Sequence, residues 1–224
     1  LGAGEFVSEG RWLRALRQTG GRGRRGREWI APEGNLTAST VVSLRADDPA
    51  VHTLAFVAAL AVHDVVMGEL DPPRDEEGHS DCILKWPNDV LVNGAKICGI
   101  LLERCGESVV AGIGINVASA PDVPGRATTA LHAHGSRSDA AAVLARLAAC
   151  FASRLLQWRS EGLSATLADW QRRASPPGTP LMVSLDEEGT LSGGFAGLDP
   201  DGALRLRLAD GSLRVIHAGD VSLV

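Results

Sequence analysis

Between Arg11 and Arg27 the chain carries seven arginines and no acidic residue, although its formal net charge is −5. Gly20, Gly21, Gly23 and Gly26 are interleaved with four of those arginines. Glycine lets a backbone take positive φ and approach a ligand closely, at an entropic cost when the segment orders. Arginine supplies planar, permanently charged forks matched to carboxylate and phosphate. The stretch from Arg17 to Trp29 therefore reads as a mobile loop that closes over an anion, and the rest of the chain has to present it.

Other readings of the stretch fit less well. Gly21, Gly23 and Gly26 match the G-x-G-x-x-G spacing of dinucleotide folds, but that spacing opens a helix. Here Glu28 to Asn35 contains Pro32 and Gly34 and reads as a turn. A P-loop needs Lys-Ser/Thr after the last glycine, and Arg27-Glu28 stands there. An arginine-glycine RNA-binding segment belongs to basic or disordered chains, whereas this one is acidic and regularly patterned.

At 224 residues, 45% of them apolar, the chain has room for one full-sized domain and a small second one. No run reads as long enough to span a membrane, and Leu1 to Gly10 lacks the cationic start of a secretory signal. The first residue is Leu rather than Met, so a processed chain or a fragment is expected. Cys82, Cys98, Cys105 and Cys150 show neither Cys-x-x-Cys spacing nor histidine partners. That favours buried reduced thiols in a cytoplasmic protein over a zinc site or a disulfide framework.

In chain order, Arg11 to Gln18 is expected to be the strand that delivers the loop, and the β-branched run Leu36 to Leu44 another strand. Asp47-Asp48-Pro49 supplies cap chemistry for a helix over about 49–69, with Leu54, Val57, Ala58, Ala61, Val62 and Val65 at helical spacing. His52 and His63 on that helix read as partly exposed. The acidic segment 71–81 reads as a solvated loop. Strands follow at Cys82 to Lys85 and Val90 to Val92. Asn93-Gly94 is a strong hairpin turn into a strand from Lys96 to Arg104, which pairs with Glu107 to Asn116. Alternating glycines at Gly112 and Gly114 predict that a ligand or another backbone comes close to that strand.

A loop over 118–137 precedes a helix capped by Ser138 and ending near Glu161, then a helix from Leu163 to Ala174. Pro176-Pro177-Gly178 marks a boundary between residues 1–177 and 178–224. Beyond it, four or five short strands around Asp199-Pro200-Asp201-Gly202 and Asp210-Gly211 turns predict a small SH3-like β-barrel.

Two further segments accompany the arginine loop. Lys85-Trp86-Pro87-Asn88-Asp89 sets a cation, a stacking ring, a rigid bend, an amide and a carboxylate within five residues. Lys96, across the Asn93-Gly94 turn, is placed to face the same space, and Asn116 ends the glycine-alternating strand. Each alone is explained as a turn, a surface lysine or a strand-end asparagine. Together, and in this order, they describe a site.

Gly21 to Arg27, Lys85 to Asp89, Lys96 to Glu103 and Gly112 to Asn116 resemble four ordered motifs of the biotin–protein ligases, in the short form without a DNA-binding domain. The resemblance covers nearly the whole chain. It implies an α/β (α+β) catalytic domain with a mixed sheet, related to class II aminoacyl-tRNA synthetases and lipoate ligases, plus a small C-terminal SH3-like barrel. It also implies the ATP-dependent attachment of biotin to one lysine of a biotin carboxyl carrier domain. Biotin's carboxylate attacks the α-phosphate of MgATP to give biotinyl-5′-AMP and pyrophosphate, and the lysine amine then displaces AMP.

By position, the resemblance implies that Gln18, Arg22, Gly23, Arg24 and Lys96 line the biotin site. Trp29, Asn88 and Asn116 are implied to meet ATP or the adenylate. Arg24, Lys96 and Asp89 are the implied catalytic set, and Mg2+ accompanies ATP with no resident metal ligands. The residue types suit this chemistry. Both first-step reactants are anions, so Arg22, Arg24 and Lys96 can offset their repulsion and the charge that develops between them. Asp89 either orients Lys96 or helps deprotonate the incoming lysine; the sequence leaves both open, and the oligomeric state too, a homodimer included.

The family also carries a Ser-Thr-Asn segment upstream of the loop, which lies before the start of this chain, so a truncated amino terminus is expected. No DNA or membrane partner follows from these residues. The rival readings are a lipoate or octanoate ligase, an arginine-loop nucleic-acid-binding module, and a catalytically inactive interaction protein.

Overall fold

Asn93 (φ 50°) and Gly94 (φ 74°) both take left-handed conformations, as a two-residue primed hairpin turn requires. The hairpin they close joins β4 (Asp89–Val92) to β5 (Ala95–Cys105). In the computed structural model, which describes residues 8–70, 82–185 and 189–223, this hairpin belongs to a six-stranded sheet. Its other strands are β1 (Trp12–Arg14), β2 (Leu36–Ser43), β3 (Cys82–Lys85) and β6 (Ser108–Ile115), in the order β1-β2-β6-β5-β4-β3. All its ladders are antiparallel, and two isolated parallel bridges, Leu84 with Ala174 and Lys96 with Thr128, give the mixed character. The acidic segment 71–81 lies outside the described residues.

β1 is shorter than the expected Arg11–Gln18 strand. Ala15 still donates to the Thr37 carbonyl at 2.9 Å, after which the chain leaves the sheet. Leu13 and Leu16 stay exposed, since no layer covers them.

α1 (Leu54–Glu69) is apolar on nearly every face and buried from Phe56 to His63. Such a helix has to be enclosed. It packs against β3, β4 and β5 on one side and against α2 (Ala140–Ser160) and α3 (Gly162–Arg172) on the other. Its start differs from expectation: a 3-10 turn, Val51–Thr53, precedes it, and Asp47-Asp48-Pro49 does not cap it. Asp48 instead accepts from the Arg45 N–H and from Arg159 Nε, both at 3.0 Å. The long-range guanidinium competes successfully for the carboxylate.

His63 is buried rather than partly exposed, and its Nε2 lies 3.2 Å from the Cys82 carbonyl oxygen. Burial, with Arg173 nearby, pushes its pKa down to about 4. The folded value lies below the unfolded value of about 6.5, so stability is complete above that pH and falls as pH drops toward 4. Urea unfolding is expected to show a loss of about 1 kcal/mol between pH 7.5 and 5.5 that His63→Gln removes. An equal loss in the variant would assign the effect elsewhere.

α2 is capped by Asp139, not by Ser138: the Asp139 carboxylate accepts from the Ala141 and Ala142 N–H groups at 3.0 and 2.8 Å. A carboxylate at that position also meets the helix dipole favourably. Val143, Leu147, Phe151, Leu155 and Trp158 form its buried stripe. By length and composition alone, Val51–Glu69 and Ala140–Ser160 are apolar enough to cross a membrane, against the expectation that no run is. In the fold the first is mostly buried and the second buries one stripe, and Trp158 donates to Thr53 Oγ1 at 2.9 Å to tie them together. Of the four thiols, Cys82 and Cys98 are buried and Cys150 half-buried, but Cys105 is exposed at the end of β5.

After α3 a second, antiparallel sheet forms from β7 (Pro180–Leu185), β8 (Gly189–Leu198), β9 (Leu204–Arg207), β10 (Leu213–Ile216) and β11 (Asp220–Leu223), ordered β10-β9-β8-β7-β11. It packs against the β3–β4 turn and α1. Trp86 donates its indole N–H to the Gly202 carbonyl at 3.0 Å. Gly202 sits so close to the Phe56 ring that a Cβ there would lie 2.6 Å from it.

Candidate active site

The arginine loop is a folded hairpin. Trp29 donates to the Gly21 carbonyl at 3.0 Å, Gly23 to the Arg27 carbonyl at 2.7 Å, and Arg22 bridges Glu28. A 3-10 turn, Arg24–Gly26, closes the tip, with Arg25 (φ 57°) in the left-handed region. Gly21 is required by contact: a Cβ there would lie 2.3 Å from the Trp29 carbonyl oxygen and 2.7 Å from Gln18 Oε1.

Trp29 returns the chain to the sheet and lays its ring on two glycines. A Cβ on Gly99 of β5 would lie 2.7 Å from the ring, and one on Gly114 of β6 2.5 Å. The close approach predicted for the glycine strand is therefore made by a side chain. The Trp29 indole N–H is buried with no hydrogen-bond partner among the described residues.

Facing the loop is the β3–β4 turn. Lys85 donates to the Val221 carbonyl and pairs with Asp89, both at 2.9 Å. Asn88 Nδ2 donates to the Ile100 carbonyl at 2.6 Å, and Arg24 reaches Asn88 Oδ1 at 3.4 Å. Asp89 starts β4, and its other oxygen takes a short hydrogen bond from Lys96. Burial pushes the Asp89 carboxyl up, but Lys96 and Lys85 outweigh it and hold the pKa below the ordinary value. Burial, then the neighbouring Arg25 and Arg27, lowers the Arg24 pKa against the opposing pull of Asp220 and Asp89. Trp86, expected as a stacking ring, is largely buried and lines the cleft, while its indole N–H joins the second sheet.

Asn116 follows β6. Its backbone bonds Ile97 and Leu131, and its Nδ2 donates to the Thr129 carbonyl at 2.9 Å. Its Oδ1 is buried without a partner among the described residues, an acceptor left open at the cleft wall.

These elements enclose one cleft of about 800 Å³. Gln18, Arg22, Gly23, Arg24 and Trp29 line it from the loop side, and Asn88, Asp89, Lys96 and Asn116 from the sheet side. All nine positions singled out in the sequence thus meet in one place. Three groups of lining residues had no sequence signal. Thr37 and Ser39 come from β2, Pro121 to Thr128 from a segment read only as a loop, and Ser184, Asp220 and Ser222 from the second sheet. The 121–128 wall is pinned by Lys96, whose N–H donates to the Ala127 carbonyl and whose carbonyl accepts from Thr129. Among the described residues, no group of three or more His, Cys, Asp or Glu side chains converges to hold a metal ion.

The cleft thus has a sheet floor, a basic glycine loop above it and the second sheet at its rim. Residues 8–119 match the biotin/lipoate A/B protein ligase family and residues 183–224 the biotin protein ligase C-terminal domain, and the chain belongs to that family. It is 38% identical to the biotin–[acetyl-CoA-carboxylase] ligase of Paracoccus denitrificans, over 96% of this chain and 91% of that protein. It superposes with a TM-score of 0.82 on the biotin protein ligase of Aquifex aeolicus in complex with biotin and ATP, at 28% identity, covering 98% of this chain and 91% of that one. The biotin protein ligase of Leishmania major in complex with biotinyl-5-AMP gives 0.61 at 27% identity, covering 92% and 88%.

Proposed function

We propose that this protein joins biotin to a lysine of a biotin carboxyl carrier domain in two ATP-dependent steps through biotinyl-5′-AMP. The observation that carries the reading is the buried Lys96–Asp89–Lys85 cluster facing Arg24 across one cleft. It supports the reading by gathering fixed positive charge at one cleft, as the meeting of two anionic reactants requires.

In the first step Arg22, Arg24 and Lys96 offset the repulsion between carboxylate and phosphate and the charge growing at the α-phosphate as pyrophosphate leaves. Gln18 and Gly23 are assigned to biotin, and Asn88 and Asn116 to the nucleotide. Trp29 is assigned to the adenylate. The orphaned Asn116 Oδ1 suits a donor such as a nucleotide hydroxyl or amine. In the second step the lysine amine attacks the acyl carbon and AMP leaves. Asp89 is assigned as an orienting group: two lysines already engage its carboxylate, and its lowered pKa makes it a weak base. A mixed anhydride hydrolyses in water, so a loop closed over it is also protective. Mg2+ is assigned to the phosphates of ATP, where it usually keeps several waters and takes one or two carboxylates.

Residues 178–224 are proposed as a separate folding unit whose sheet closes into an SH3-like barrel. The onset of the second sheet at Pro180 supports this, as does the register shift of β8 against β9 between Phe195 and Leu198. A cytoplasmic setting is proposed from the spacing of the four cysteines, which suits neither a zinc site nor a disulfide framework, and neither long helix is assigned to a membrane because each packs an apolar face into the core.

With purified protein, biotin plus MgATP is expected to release pyrophosphate and lipoate is not expected to replace biotin. Equal turnover with lipoate would favour the lipoate-ligase reading. Tight, steeply salt-dependent binding of a polynucleotide without turnover would favour the nucleic-acid reading.

A further inference from the structure

The arginine loop is tied down from the far end of the chain. Arg27 donates to Asp220 Oδ1 at 2.7 Å and Arg25 to Oδ2 at 3.1 Å. One carboxylate thus takes both guanidinium groups at the loop's tip. Arg24 also reaches the Gly219 carbonyl at 3.5 Å. The carboxylate stands on a fixed support, because the next residue, Val221, accepts from Lys85 through its carbonyl and is buried. Asp220 itself lines the cleft.

Two features call for such a tie. Arg22, Arg24, Arg25 and Arg27 lie within six residues and repel one another. Arg25 also holds a left-handed backbone, strained for a non-glycine residue, and strain of this kind persists only where surrounding contacts over-determine it. Its guanidinium contact with Asp220 is one such restraint. Burial alone would push the Asp220 carboxyl up. The hydrogen bond and charge of Arg27, with Arg25 and Arg24, hold it below the usual carboxylate range.

We infer that Asp220 is a positioning residue: its carboxylate, carried on the second sheet, is shared by Arg25 and Arg27, offsets part of their charge and ties the loop across the cleft, leaving Arg22 and Arg24 for the substrates. The second sheet would then have a task in the reaction, governing how long the reactive intermediate stays enclosed. This last consequence rests on the biotin-adenylate reading; the tie itself does not.

The test therefore has two readouts on the full chain. The first is trypsin cleavage at the loop arginines of the ligand-free protein. Asp220→Asn is expected to be cut about fivefold faster than the parent, the scale of a partly exposed ion pair, with an unchanged melting temperature. Asp220→Glu is expected to recover most of the protection. Arg27→Asp combined with Asp220→Arg is expected to be cut more slowly than either single variant. The gain of Asp220→Asn should shrink in high salt, as screening predicts.

The second readout is escape of preformed biotinyl-5′-AMP, expected to be about fivefold faster in Asp220→Asn than in the parent. Equal cleavage of parent and Asp220→Asn would overturn the inference. So would identical behaviour of the Asn and Glu variants with a lowered melting temperature, which would mark a merely structural residue. If the parent forms no adenylate, the functional reading fails while the cleavage comparison still decides the tie.

Discussion

Replacing Lys96 with alanine is expected to slow biotinyl-5′-AMP formation by about two orders of magnitude, the usual cost of losing one preorganised charge donor. Folding should suffer far less. Lys96 is nearly buried against Asp89, so the change is not that of a surface cation. Lys85 nevertheless remains 2.9 Å from the other Asp89 oxygen, and the carboxylate keeps a counter-charge. A stability loss of about 1–2 kcal/mol is expected. Arg24→Ala should lower the rate similarly with less effect on stability, since Arg24 is only half-buried and its contacts are long. Single-turnover adenylation and thermal melting separate the two effects, and near-normal rates in both variants would remove these residues from the catalytic set.

Gly114→Ala is expected to disable the site by a different route. The new Cβ would lie 2.5–2.6 Å from Cε2, Cζ2 and Nε1 of Trp29, inside van der Waals contact. Gly114 pairs with Gly99 and Thr37 at the centre of the sheet, so the ring has to move rather than the strand. Overpacking of this kind costs about 1–3 kcal/mol. Because the displaced ring belongs to the loop, kcat/KM is expected to fall roughly 10- to 100-fold. Gly112→Ala is the matched control: its Cβ would meet only the Leu101 carbonyl at 3.6 Å and Ser39 Oγ at 3.8 Å. Tryptophan emission of the ligand-free protein should shift in Gly114→Ala and stay put in Gly112→Ala. The same emission in both would show that Trp29 does not rest on Gly114 in solution.

Much of the site was legible because its parts are local. The Asn93-Gly94 turn dictates a hairpin by backbone conformation alone, and that hairpin carries Lys96 back to Asp89. Arginine and glycine in alternation specify a charged loop whatever surrounds it. Core patterning also placed α1, which is apolar on nearly every face, and α2, whose single apolar stripe has to face the core. Capping was misread at both helices. At α1 the Asp48 carboxylate is claimed by Arg159, 111 residues away. At α2 the cap falls one residue later than the serine that first offered itself.

The chain alone thus determined which chemical groups exist and which short segments carry them. Tertiary structure decided what those groups are spent on. Trp86 has the composition of a stacking ring, yet its indole N–H is consumed by Gly202, 116 residues on. The open path along Gly99 and Gly114 is filled by Trp29. Asp220, one acid among 27 acidic residues, gains its meaning only when strand β11 brings it against Arg25 and Arg27 across separations of 195 and 193 residues. Turn and loop chemistry is set by neighbours in sequence, whereas the partner of a charge or a ring is set by which surfaces the fold buries against each other.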